Sequence, residues 1–121
     1  MKSMFVSGTS LDPIHFAGLR IFDYTAGHHS RSSLAVIEVP PGAHHREAWS
    51  KRSDKYYLVL AGAILFVLDG VQNELIAGDF CLVAQGSRFS YSNPSAAPAR
   101  LVLVHTPNFD LASEVFVEPS R

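Results

Sequence analysis

A chain of 121 residues with 47% hydrophobic residues is long enough for one compact domain with a buried core, and leaves no room for a second. Its formal net charge of −1, with basic residues scattered apart from Lys51-Arg52, gives no electrostatic footprint for nucleic acid. No apolar run is long enough to span a bilayer, the N-terminus lacks the succession of a secretory signal, and the single Cys81 excludes an internal disulfide; a soluble, cytoplasmic protein is expected.

Short strands are predicted throughout. In chain order they are Met4 to Val6, Leu19 to Tyr24, Leu34 to Val39, Lys55 to Leu60, Ile64 to Leu68, Glu74 to Ile76, Phe80 to Val83, Phe89 to Tyr91, Leu101 to His105 and Val115 to Val117, each rich in Val, Ile, Leu, Phe or Tyr. Turn residues separate them: Gly27, Pro40-Pro41-Gly42, Ala61-Gly62, Asp69-Gly70, Gly78-Asp79, Gln85-Gly86 and Asn93-Pro94. Asp69-Gly70 has the chemistry of a tight hairpin turn, in which both central residues take positive φ. This spacing describes an all-β antiparallel sandwich or barrel, ending in a mobile tail over Glu118 to Arg121.

Two glycine-anchored segments, 42–62 and 78–93, add a more specific pattern. Pro41-Gly42, the run from Lys55 to Gly62, Gly78-Asp79, Gly86 and Asn93 resemble the two motifs of the cupin superfamily. The resemblance implies a single cupin barrel over 1–121, the jelly-roll-like double-stranded β-helix, with the strands of 4–24 at an edge or in a homodimer contact. The apolar runs Met4-Phe5-Val6 and Ile64 to Leu68 agree with such a dimer, because a thin barrel wall buries only part of them.

In the family's register, however, the metal ligands are absent. Ala48 and Ser50 stand at the first motif's two histidine positions, Lys55 at its glutamate and Phe89 at the second motif's histidine. Ala, Lys and Phe do not ligate a divalent transition metal, which needs at least three converging N, O or S donors. No cofactor is expected from the inherited cage. A displaced set remains as the alternative: His44, His45, Glu47 and His105, helped by His28-His29, holding Mn, Fe, Ni, Cu or Zn if a bulge turns His45 and Glu47 inward together.

Period-2 alternation suggests a different site. An inward Lys55 brings Tyr57 and Val59 with it, and an inward Phe89 brings Tyr91 and Asn93. Lys55, Tyr57 and Tyr91 are therefore the candidate catalytic residues, and Trp49, Ser50, Phe89, Arg46 and His105 the candidate ligand contacts. Lys55 would pair with a ligand carboxylate or act as a base; otherwise it reaches solvent or pairs with Asp54 or Glu47. Three functions follow from the residues and the resemblance. One is a metal-free binder of a carboxylated, phenolic or sugar-like small molecule, acting as an isomerase, epimerase or cyclase. The second is a metal-dependent oxygenase or isomerase using the displaced ligands. The third is a non-catalytic sensor or structural protein.

Overall fold

The computed structural model describes residues 1–119; Ser120 and Arg121, the end of the expected tail, lie outside the described residues. Among the described residues, eleven antiparallel strands form two facing sheets. They are β1 (Ile14–Phe16), β2 (Leu19–Asp23), β3 (Ser33–Val39), β4 (His44–Ser50), β5 (Asp54–Ala61), β6 (Ala63–Leu68), β7 (Val71–Ile76), β8 (Phe80–Val83), β9 (Phe89–Ser92), β10 (Ala99–Thr106) and β11 (Glu114–Phe116). One sheet runs β1-β2-β3-β10-β5-β8 and the other β11-β4-β9-β6-β7. Among the described residues, no helix is long and apolar enough to cross a membrane.

Alternation builds the core between the sheets. Val59, Leu101 and Ile37 from one sheet meet Ile64, Phe66 and Phe89 from the other, all at 2% exposure or less. Asp69 and Gly70 turn from β6 to β7 with φ of 48° and 81°, the positive pair that the hairpin requires. Gly62 serves close approach: a Cβ there would sit 2.7 Å from the Pro98 carbonyl oxygen and 2.8 Å from the Ala99 Cα. Fully buried Asn93 fixes the end of β9, donating through Nδ2 to the carbonyls of Val39 (3.0 Å) and Ala97 (2.8 Å) and accepting from the Ser95 backbone at Oδ1 (3.0 Å).

The structure corrects the sequence reading in four places. Met4 to Val6 is not a strand: Phe5 is fully exposed, and the first pairing is the β1–β2 hairpin, turned by Ala17 and Gly18 with φ of 50° and 85°. The strands within 4–24 are β1 and β2, with β1 at the edge of the six-stranded sheet. The segment His44 to Ser50, absent from the predicted strands, is strand β4, whose His44, Arg46 and Glu47 are exposed. Its register shifts between His45 and Ala48, so His45 points inward but Glu47 does not follow it. Finally, Ile64 and Phe66 of β6 are buried, and beside the exposed Met4 and Phe5 a further apolar surface lies on the outside of the six-stranded sheet, at Leu34, Leu58, Leu60, Phe80 and Leu82.

Candidate functional site

The two sheets enclose a cavity of about 330 Å³, walled mostly by apolar side chains. β1 and β2 supply Phe16 and Ile21, β11 supplies Phe116, and the half-exposed Ile14, Phe109 and Leu111 form the rim. Polar groups converge deeper inside. β5 places Lys55 and Tyr57 on its inner face, β9 places Tyr91, β10 places His105, and β4 places His45 just before its bulge.

Lys55 is the centre of this cluster. Its Nζ donates to Glu114 Oε1 of β11, with both side chains almost wholly buried, and stands 3.1 Å from His105 Nε2. The same ammonium lies 5.1 Å from the centroid of the Phe89 ring. Burial lowers the Lys55 pKa, and the Glu114 carboxylate works against that shift. Because a lysine nitrogen is a donor here, His105 Nε2 accepts, which leaves the histidine proton on Nδ1. Burial, then the neighbouring Lys55, pushes the His105 pKa down to about 3.

His45 is also held neutral. Burial lowers its pKa to about 4; the Arg46 carbonyl and Glu114 oppose the fall, and Lys55 adds to it. Its Nδ1 donates to the Arg46 carbonyl oxygen over 2.7 Å, which leaves Nε2 as the ring's acceptor. Its ring packs between Phe89 (5.0 Å), Tyr91 (5.3 Å) and Phe116 (6.0 Å). Burial raises the pKa of both Tyr57 and Tyr91, so each phenol keeps its proton. The Tyr91 hydroxyl is buried and has no hydrogen-bond partner among the described residues. An unsatisfied buried hydroxyl costs about 1–3 kcal/mol, which a ligand acceptor would recover.

The other expected contacts fall elsewhere. Phe89 lies beneath Lys55 and packs on Tyr57, outside the cavity wall. Ser50 is buried but serves the turn, its Oγ accepting from the backbone of Arg52 and Ser53 at 3.2 and 3.0 Å. Trp49 alternates to the opposite face of β4 from Ala48 and Ser50. Arg46 stacks over the Phe116 ring at 4.9 Å, beside a shallow outer depression shared with His44 and Glu47. Arg88 pairs with Glu47 and Arg52 bonds Asn108, so neither reaches the cavity. Asp54, a suggested partner for Lys55, accepts from the Gln85 backbone instead.

The residues present do not fit the family's metal. Ala48, Lys55 and Phe89 fill three of its ligand positions, and the only acid reaching the cluster, Glu114, is bound to Lys55. The displaced set is not assembled either: His44 and Glu47 face outward, His28 and His29 lie in an exposed turn, and only His45 and His105 reach the cavity. Among the described residues, no three His, Cys, Asp or Glu side chains are grouped to hold an ion. Sequence reasoning missed Glu114. The alternation of β11, which puts Glu114 and Phe116 on one face, and the need of an inward lysine for an acid, are the signals that point to it.

Comparison with known proteins agrees with this architecture. The sequence profile of the cupin domain family matches residues 35–105. No curated protein matches. Among solved structures, Streptomyces Pac13 with uridine, in variants with single tyrosine or histidine replacements, superposes with a TM-score of 0.83 at 20% identity, covering 97–98% of this chain and 92–93% of that one. That protein is described as a unique nucleoside dehydratase. A predicted oxalate decarboxylase from Thermotoga maritima (TM-score 0.78, 18% identity, 86% of this chain and 99% of that one) and KdgF from Halomonas (0.78, 17%, 90% and 97%) share the fold.

Proposed function

From the premise that this chain belongs to the cupin family, we propose that it binds a small molecule in the barrel and acts on it by acid–base chemistry carried by side chains in place of the family's metal. The observation that carries this reading is the buried cluster itself. A lysine stands at the family's glutamate-ligand position, already paired with Glu114, and faces the same cavity as a neutral histidine and a partnerless tyrosine hydroxyl.

The cluster divides into a base and donors. His45 Nε2 is unprotonated at neutral pH and can take a proton from a carbon beside a carbonyl; Glu114 is the nearby charge that favours the resulting imidazolium. The Tyr91 and Tyr57 hydroxyls retain their protons and can donate to the oxygen on which negative charge grows. Returning the proton to another atom of the substrate completes an isomerisation, and reprotonating the same carbon from its other face, by a second group such as a tyrosine hydroxyl, an epimerisation. Donating it to a departing hydroxyl instead expels water and leaves a carbon–carbon double bond. The Streptomyces neighbour, described as a nucleoside dehydratase and solved with uridine in tyrosine and histidine variants, favours the route that expels water.

A screen of sugars, nucleosides and phenols by thermal shift, repeated on His45→Gln and Tyr91→Phe, tests the proposal. Compounds that stabilise the wild type and lose their effect in both variants are expected. Ligand shifts that survive both substitutions would place the site elsewhere. The protein is also proposed to be a homodimer through the outside of the six-stranded sheet. There Leu34, Leu58, Phe80 and Leu82 form an exposed apolar face across β3, β5 and β8, continued by Val102 and Val104 of β10.

A further inference from the structure

We infer that this cavity selects an uncharged ligand, and that Glu114 is the residue that sets the selection, by neutralising Lys55 before any ligand arrives. The inference rests on the reading of the cavity as a small-molecule site and names the chemical class that site takes.

The titratable groups lining the cavity are Lys55, Glu114, His45, His105, Tyr57 and Tyr91, with the partly exposed Asp23 of β2. Lys55 and Glu114 share a hydrogen bond, so the pair sums to zero whether the proton sits on nitrogen or on oxygen. Both histidines are neutral near pH 7, and both tyrosines keep their protons. The interior therefore carries no net charge, and its walls are largely apolar. The one remaining charge is the Asp23 carboxylate, which accepts from the Thr25 backbone (3.0 Å) and hydroxyl (3.1 Å) through a single oxygen and, among the described residues, meets no cation within ion-pair distance.

An anionic ligand finds nothing to compensate its desolvation here. A carboxylate or phosphate entering the cavity would have to compete with Glu114 for Lys55, leaving one of two anions buried without a partner, and would meet the like charge of Asp23 in the cavity wall. A neutral ligand meets what it needs: apolar walls, the free Tyr91 donor and the His45 Nε2 acceptor. Lys55 thus occupies the position of an anion-binding group without being available as one. The ligand is a neutral ring-bearing molecule with carbonyl or hydroxyl groups, and free acids and phosphate esters are rejected.

Benzamide and benzoate, nearly identical in shape and different in charge, test this directly by titration into the labelled protein with nuclear magnetic resonance of the cavity residues. The wild type is expected to bind benzamide at least roughly tenfold tighter than benzoate, and Glu114→Gln, which frees the ammonium, to reverse the order. Wild-type protein that binds benzoate as tightly as benzamide overturns the inference and leaves the cavity as a small-molecule site. If neither compound perturbs the cavity signals in either protein, the reading on which the inference rests fails with it. Should Glu114→Gln not fold, the wild-type ranking alone decides the point.

Discussion

Removing Glu114 leaves the Lys55 ammonium without its partner in a site where the two side chains are 5% and 6% exposed. Breaking a buried pair from one side costs about 3–5 kcal/mol, because the remaining charge keeps its desolvation penalty and loses its attraction. The lysine sets the ceiling itself, since it can escape by releasing its proton. Neutralising at pH 7 a lysine whose ordinary pKa is 10.5 costs about 5 kcal/mol, at 1.36 kcal/mol per pH unit. Glu114→Ala is therefore expected to lose about 3–5 kcal/mol at pH 7, a fall in Tm of roughly 12–20 °C for a domain of this size. The loss carries a pH signature. With its folded pKa held below 10.5, the unpaired lysine binds fewer protons folded than unfolded, so the deficit shrinks as pH rises, by up to about 1.4 kcal/mol per unit between pH 7 and 9. The double variant Lys55→Met/Glu114→Leu, which replaces the pair with apolar groups, should be close to wild type or more stable. Urea denaturation of all three proteins at pH 7, 8 and 9 measures this. A Glu114→Ala deficit below about 1 kcal/mol, or one that does not change with pH, would refute the buried-pair reasoning.

Other consequences are equally open to measurement. His45 and His105 have folded pKa values of about 4 and about 3 against an ordinary 6.5, so the unfolded chain binds more protons as pH falls through that window. Their contribution, at most about 8 kcal/mol together at 1.36 kcal/mol per pH unit, is fully present above pH 6.5 and is lost towards pH 3; His105→Gln should flatten the acid limb of a stability profile, and an unchanged limb contradicts the shift. Tyr91→Phe removes an unpaired buried hydroxyl and should raise the stability of the free protein by about 1 kcal/mol in thermal unfolding while weakening ligand binding. A stability loss would reveal a partner for that hydroxyl. Gly62→Ala forces a Cβ to within 2.7 Å of the Pro98 carbonyl in a positive-φ conformation and should cost more than about 2 kcal/mol, whereas Gly42→Ala, with open space around it, pays only the backbone strain. Leu58→Lys should convert the dimer to monomer in sedimentation without altering the circular dichroism, and a monomeric wild type would contradict the proposed face.

How much of this was legible depends on where each signal resides. The barrel was legible because turn chemistry is local: Gly62, Gly78, Gly86 and Asn93 take the conformations and bonds that their spacing implied. The inward faces of β5 and β9 were legible because alternation is rigid, so Lys55, Tyr57, Phe89 and Tyr91 are all buried. The face of β4 was not, because the bulge after His45 interrupts alternation and separates that histidine from Glu47, with which the sequence had grouped it. Nor was the partner of Lys55: the two residues are 59 positions apart, and only the pairing of β11 with β4 carries Glu114 over the cavity. A false N-terminal strand came from reading Met4-Phe5-Val6 by composition alone, without a neighbour to pair with.

The central claim is that side chains have taken over the place of the family's metal. Plasma mass spectrometry of the untagged protein, purified as expressed and after incubation with Mn, Fe, Ni, Cu and Zn followed by gel filtration, tests it most directly. Only trace metal in every sample is the result predicted, because Lys55 and Phe89 fill the ligand positions and Glu114 is bound to Lys55. Near-stoichiometric metal that disappears in His45→Ala would contradict it, and would mean that His45 and His105 recruit further donors into a metal centre.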